Sequence, residues 1–304
     1  MAFSLPNDWV WDHWIVRWND QYHLFYLHAP RALGDPNRRH GRASIGHAVS
    51  DDAIEWEILP DAVVREDAPA FDDRSTWTGS TITHPKDGRM RMFYTGTSFA
   101  EDGLVQRIGW ADSWDGVTFH RMEGPALEAD PRWYETEEDR TWPDVAWRDP
   151  YVFFHDGQWH MLITARSNQG EPFYRGVVGH AVSDDLDNWE IQPPLATDTG
   201  FGQLEVIQQH QVGEKNIVVF STDLEHADPD RYPGRATAGW LVEGEGPLGP
   251  WDFSTARPAK GDHLYAAQIF ESADGEHMYT GFRNYEDDEF VGELPDPVPL
   301  DRVR

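Results

Sequence analysis

The sequence contains no cysteine, which excludes disulfides and thiolate chemistry. Lysine is nearly absent: Lys86, Lys215 and Lys260 are the three in the chain, and the remaining basic residues are arginines. Positive charge is scarce altogether, with 25 Lys and Arg against 54 Asp and Glu and a formal net charge of −29. Nucleic acids and anionic membranes are polyanions, so neither is expected as a partner. An acidic, lysine-poor surface is the composition expected of a protein working in concentrated salt, where charge repulsion is screened. No apolar stretch is long enough to span a bilayer. The segment Met1-Ala2-Phe3-Ser4-Leu5-Pro6 has neither a basic n-region nor an apolar h-region, so a cytoplasmic protein is expected. No segment sustains a helical period.

What the chain does have is a repeat. Gly-His-Ala-Val-Ser-Asp-Asp occurs at Gly46–Asp52 and again at Gly179–Asp185, each followed by a Trp-Glu pair, Trp56–Glu57 and Trp189–Glu190. A degenerate copy lies between them at Gly109–Ser113, followed by Trp114-Asp115-Gly116, and a weaker one starts at Gly239-Trp240. Within this period, short aromatic and β-branched runs recur: Tyr22–Leu27, Met90–Thr95, Trp159–Thr164, Lys215–Phe220 and Glu276–Gly281. Such runs read as strands. Turn signals precede them at Asn19-Asp20, Asp87-Gly88, Asp156-Gly157, Gly213-Glu214 and Asp274-Gly275, each predicting a tight hairpin. Five such units predict an all-β fold, a five-bladed β-propeller with four-stranded blades, rather than a sandwich or β-helix. The expected blades are roughly 8–60, 74–124, 144–194, 200–254 and 262–304 of a single catalytic domain.

The innermost strand of each propeller blade lines the axis. With Phe25, Phe93, Leu162, Val218 and Tyr279 taken as equivalent, the residues thirteen positions upstream are Asp12, Ser80, Asp149, Glu205 and Ala266. Three of five blades thus place a carboxylate at one register, which predicts a carboxylate funnel at one end of the axis. Trp11 and Trp14 flank Asp12, Trp77 and Thr78 precede Ser80, Arg148 precedes Asp149, and Gln203 precedes Glu205. Carboxylates among tryptophans are costly unless used. Crowded like charges spread their pKa values, as acid–base pairs require. Tryptophan faces suit sugar rings.

The segments Val10–Trp14, Trp77–Ser80, Trp147-Arg148-Asp149-Pro150 and Gln203-Leu204-Glu205 resemble, in order, those of glycoside hydrolase families 32 and 68, the invertases, fructanases and levansucrases. The resemblance implies a retaining glycosidase that releases fructose from sucrose or fructo-oligosaccharides, with fructosyl transfer as a variant. It implies Asp12 as nucleophile, Glu205 as acid/base and Asp149 as transition-state stabiliser. Trp11, Trp14, Trp77, Thr78, Arg148 and Gln203 are the implied substrate-binding residues. The partner is then a small-molecule carbohydrate, with no cofactor and no metal site. A family 43-like inverter of arabinosides or xylosides shares this fold and remains open, as do a non-catalytic glycan-binding propeller and a phosphorylase.

Several features read as scaffold. His47 and His180 occupy equivalent blade positions and are expected as hydrogen-bonded core groups. The Trp-Glu pairs are expected to pack blades, and the acidic run Glu135–Asp139 is expected as a solvated loop. His13 is balanced between the pocket and the core. Asp223, Glu225 and His226, after the second strand of blade four, are candidates for an acceptor site.

Salt gives a direct test of the charge reading. From about 0.1 to about 1 M KCl the screening length falls from about 10 Å to about 3 Å. The thermal midpoint followed by circular dichroism is expected to rise over this range; a flat or falling midpoint removes the salt-adaptation reading.

Overall fold

In the computed structural model, which describes residues 2–122, 126–138 and 140–304, five antiparallel sheets form a five-bladed β-propeller. Blade one is β1 (Asp8–Trp18), β2 (Gln21–Pro30), β3 (Ser44–Ser50) and β4 (Glu57–Val63). Blade two is β5 (Ser75–Thr83), β6 (Met90–Thr97), β7 (Gln106–Ser113) and β8 (His120–Arg121). Blade three is β9 (Trp147–His155), β10 (Gln158–Arg166), β11 (Gly176–Ser183) and β12 (Glu190–Ala196). Blade four is β13 (Glu205–Val212), β14 (Lys215–Thr222), β15 (Ala238–Gly244) and β16 (Trp251–Pro258). In blade five, β17 (Tyr265–Glu271) pairs with β18 (His277–Glu286). Both β19 (Glu289–Glu293) and β20 (Val298–Pro299) then lie along β18 instead of stacking outward in series.

The first strands make the ring. β1 touches β5, β5 touches β9, β9 touches β13, β13 touches β17, and β17 returns to β1. A backbone bridge closes the circle, with Phe3 N–H donating to Leu294 O at 2.7 Å and Leu294 N–H to Phe3 O at 2.9 Å. Large aromatics such as Trp11, Trp147, Trp240, Phe25 and Phe93 are fully buried and fill the blades.

The repeated heptapeptide is a turn device. Ser50 Oγ accepts from Ala53 N–H while Asp52 Oδ1 accepts from Ile54 and Glu55 N–H. Ser113 and Asp115 do the same at Gly116, Val117 and Thr118, and Ser183 and Asp185 at Leu186, Asp187 and Asn188. Side-chain oxygens that satisfy turn amides explain the recurrence without any catalytic role. His47 meets His23 at 2.9 Å and His180 meets His160 at 3.0 Å, each pair buried and stacked, so both repeat histidines are core groups.

Glu135 departs from its expected solvated loop. It is buried and bonded to Arg166 and Arg175, each at 2.9 Å. An acidic run is polar on average, but two arginines brought from β10 and the following loop make burial of this one member affordable. Asp139, at the end of that run, lies outside the described residues.

Two predicted hairpins are wider than expected. Asn19-Asp20, Asp156-Gly157 and Gly213-Glu214 do form two-residue turns, since Trp18 pairs with Gln21, His155 with Gln158 and Val212 with Lys215. In blades two and five the closing pairs are Thr83–Met90 and Glu271–His277, so Asp87-Gly88 and Asp274-Gly275 sit inside longer loops.

Every first strand carries a β-bulge near its start: between Val10 and His13, Trp77 and Gly79, Arg148 and Tyr151, Glu205 and Gln208, and Tyr265 and Gln268. Asp149 (φ 56°), Val206 (φ 54°) and Ala266 (φ 44°) take left-handed backbone there, the signature of an extra residue in a ladder. In blade two the bulge is crowded, and a Cβ on Gly79 would come within 1.9 Å of Phe93 O. Gly79→Ala is therefore expected to cost about 1–3 kcal/mol and to lower activity by moving Thr78. A denaturant midpoint equal to that of the native protein would count against this packing.

Candidate active site

The bulges decide which side chains meet. Regular strands alternate faces, yet consecutive residues Trp11 and Asp12, Trp77 and Thr78, and Arg148 and Asp149 all line one open cavity of about 480 Å³. Gln203, Glu205, Tyr265 and Asp223 complete much of its wall. The cavity stands at the N-terminal ends of all five first strands.

The shared register of the three carboxylates needs a correction. Counted from the two-residue hairpins, Asp12 and Asp149 are equivalent, but Glu205 is one position further from its turn, so Val206 takes the place of Asp149. A slip of one residue would turn a regular strand inside out. The bulge absorbs it, and Glu205 reaches the cavity from the position that Arg148 occupies in blade three. The thirteen-residue spacing misaligned blades three and four by one residue, and the longer loops of blades two and five shifted those blades as well.

Hydrogen bonds fix Asp12 and Asp149 by one edge and Glu205 by both. Thr78 Oγ1 donates to Asp12 Oδ2 at 2.6 Å. Thr164 Oγ1 (2.8 Å) and Val206 N–H (3.1 Å) both donate to Asp149 Oδ2. Among the described residues no hydrogen bond reaches the other oxygen, Oδ1, of Asp12 or Asp149. Glu205 is held at both oxygens, Oε1 by Arg148 Nη2 at 2.6 Å and Oε2 by the Tyr265 hydroxyl. Arg148 also donates to Gln203 Oε1 (2.9 Å) and Gln106 Oε1 (3.0 Å), and its Nε lies 3.5 Å from Asp149 Oδ2.

The electrostatics follow from burial and crowding. Desolvation, then Asp149, push Asp12 up to about 7, against the pull of the Thr78 hydrogen bond. Desolvation pushes Asp149 up to about 6, with Arg148 opposing it and Glu205 adding to it. Asp223 is raised to about 7 by desolvation, Glu205 and Glu225. Burial works against the charge of Arg148, but Glu205, Asp144 and Asp149 outweigh it and raise its pKa. His40 is lowered to about 3 by burial, Arg39 and Arg148, and is neutral in the cavity. Among the described residues no group of three or more His, Asp or Glu side chains is disposed to hold a metal ion.

Eight of the nine site residues expected from sequence line this cavity, and Trp14 does not. Trp14 sits deeper along the axis, stacked on Phe25 with its indole N–H donating to Thr81 Oγ1 at 2.9 Å, beside a separate axial channel. His13 packs in the core against Thr280 (3.0 Å). Asp223 faces the cavity, while Glu225 and His226 are absent from its lining. Sequence reasoning missed Tyr265, Arg39 and Asp144. Tyr265 directly precedes Ala266, so the one-residue offset of Glu205, applied to blade five, is the signal that identifies it.

The model of the glycosyl hydrolases family 32 N-terminal domain matches residues 4–292. The chain belongs to glycosyl hydrolase family 32. This family 32 chain is 27% identical over 238 residues to a sucrose-6-phosphate hydrolase of Bacillus subtilis (strain 168), covering 75% of this chain and 44% of that protein. It is 26% identical over 283 residues to a Zymomonas mobilis sucrose-6-phosphate hydrolase, covering 87% of this chain and 50% of the relative. The chain thus spans about half the length of the curated relatives it matches. Its fold is similar to that of an inulosucrase from Halalkalicoccus jeotgali bound to kestose, with TM-score 0.74 and 24% identity over 93% of this chain and 78% of that one. It is also similar to a Bombyx mori GH32 beta-fructofuranosidase, with TM-score 0.73 and 23% identity over 97% and 61%.

The raised pKa of Asp12 carries a stability sign. Its folded value lies above the ordinary 3.8, so the folded state retains the proton between 3.8 and about 7. Stability from this group is present in acid and lost as pH rises through about 7. Asp12→Asn is therefore expected to raise the melting temperature at pH 8, with the gain shrinking in acid. A variant less stable than the native protein at pH 8 would contradict this.

Proposed function

We propose that this chain releases fructose from sucrose or fructo-oligosaccharides with retention of configuration. The observation that carries the reading is one cavity in a family 32 propeller where Asp12 and Asp149 each leave an oxygen free, while Arg148 and Tyr265 clamp Glu205. Ionised Asp12 attacks the anomeric carbon of the fructosyl unit through Oδ1 as the bond to the leaving oxygen breaks. Glu205 supplies the proton that this oxygen takes up. Water then gives its proton back to Glu205 and attacks the same carbon, and the Asp12 ester breaks with its electron pair returning to the carboxylate. Asp149 Oδ1 holds sugar hydroxyls and favours the oxocarbenium-like charge. Trp11 and Trp77 wall the fructosyl ring, and the indole of Trp77 is fixed by donation to His40 O at 2.7 Å.

Transfer follows the same path with a sugar hydroxyl in place of water, and we assign water as the acceptor in dilute substrate. Family 32 membership removes the ground for the family 43-like alternative. Fructose release that depends on added phosphate would identify a phosphorylase instead.

A substrate panel of sucrose, inulin, levan and aryl arabinosides, run in high salt, tests the reading. Fructose is the expected product, with the first-formed anomer retained by NMR. Asp12→Asn and Glu205→Gln are each expected to lower kcat by about 10²–10⁴-fold or more. Pentose release, or an inverted first product, would overturn the assignment.

A further inference from the structure

The cavity holds a second guanidinium that no carboxylate claims. Arg39 lies on a short 3-10 helix, Pro36–Arg42, between β2 and β3, where Asp35 caps the first turn by accepting from Asn37 N–H at 2.9 Å. It is 7% exposed. Its guanidinium carbon sits 3.9 Å from the centroid of Phe290 and 5.6 Å from that of Trp11. Nη1 donates to Pro36 O at 3.0 Å and the guanidinium also hydrogen-bonds the Tyr285 side chain, while Nε is buried with no partner among the described residues. Every other buried arginine shown here, Arg91, Arg148 and Arg166, has a carboxylate within ion-pairing distance; among the described residues Arg39 has none.

Ring faces partly offset the desolvation of a cation, but they do not use its N–H groups. A buried guanidinium with an unpartnered Nε–H is costly unless a ligand supplies an acceptor. The neighbours indicate which ligand. Asn37 and Asn284 are amides and Tyr285 is a phenol, all lining the same wall. They suit hydroxyls. The lining carboxylates Asp12, Asp144, Asp149, Glu205 and Asp223 stand against Arg39 and Arg148, which is three negative charges in excess when all are ionised. A phosphoryl group entering this field is repelled, whereas a neutral polyol is not. Position indicates which sugar: the carboxylates rise from the axial strands, but Arg39 and Asn37 come from a connecting helix and Asn284 and Tyr285 from the far part of β18. They surround the mouth, where the leaving group of a fructoside lies.

We propose that Arg39 is the specificity-determining residue for the leaving-group sugar, and that with Asn37, Asn284 and Tyr285 it selects a neutral, non-phosphorylated saccharide. This rests on the fructosidase reading above. The test compares sucrose, sucrose-6-phosphate and 4-nitrophenyl β-D-fructofuranoside, whose leaving group has no hydroxyls to bind, in the native enzyme and in Arg39→Gln and Arg39→Lys. The ratio of kcat/KM for sucrose to that for the aryl fructoside cancels any loss of folded enzyme. It is expected to fall about 10–100-fold in Arg39→Gln, mainly through KM, and by less in Arg39→Lys, which keeps the charge but loses the planar fork. The native enzyme is expected to prefer sucrose to sucrose-6-phosphate. An unchanged ratio overturns the role of Arg39. So does a native preference for sucrose-6-phosphate that disappears in Arg39→Gln, which makes Arg39 a phosphate anchor. If the native enzyme releases fructose from none of the three, the fructosidase reading itself falls, and this one with it.

Discussion

Carboxylates crowded into a half-dry cavity repel one another and lose their hydration, and the guanidinium of Arg148 offsets both costs. It reaches Glu205 at 2.6 Å and Asp149 at 3.5 Å, and is itself steadied by the amide oxygens of Gln106 and Gln203. An arginine can do this because its fork is planar and permanently charged. The balance is incomplete: Asp12, which among the described residues has no ion pair with Arg148 within 4 Å, keeps a pKa raised to about 7. Thr78 supplies its hydrogen bond, and the remaining desolvation cost stays with Asp12 in the folded state.

The bulged first strands are the second constraint. Without an extra residue in each ladder, Arg148 and Asp149 would face opposite sides of the sheet, and the cation could not lie beside its carboxylates in one cavity. The same device places Trp11 next to Asp12 and Trp77 next to Thr78. The scaffold turns, built from Ser and Asp oxygens at Ser50, Ser113 and Ser183, lie at the hairpin end and leave the bulged end free to vary.

Much of this was legible in the chain itself. The propeller followed from a repeat with strand-like runs, because blades are local units and their periodicity survives in sequence. Asp12, Asp149 and Glu205 were found through spacing and through the segments around them. Glu205 lines the same cavity as Asp12 and Asp149 although the spacing premise was off by one residue, since a bulge compensates a register slip that no linear count can see. Trp14 was misplaced for a related reason: adjacency to Asp12 along the strand is depth along the axis, not presence at its mouth. Glu135 looked solvated because composition does not show that two arginines distant in sequence converge on it. Arg39 gave no local signal, for its meaning depends on contacts that span the ring, and Tyr265 becomes visible only once the one-residue offset of Glu205 is known.

The origin of each cavity residue also divides the labour. Asp12, Asp149 and Glu205 stand on hydrogen-bonded strands, where the ring closed by Phe3 and Leu294 leaves little freedom. Several groups at the mouth come from connections, namely the helix that bears Arg39 and the Trp142-Pro143-Asp144 segment before β9, while Asn284 and Tyr285 stand at the end of β18. Connections tolerate insertion and replacement far better than strands do. The mouth can therefore be exchanged for another while the strand-borne carboxylates keep their places.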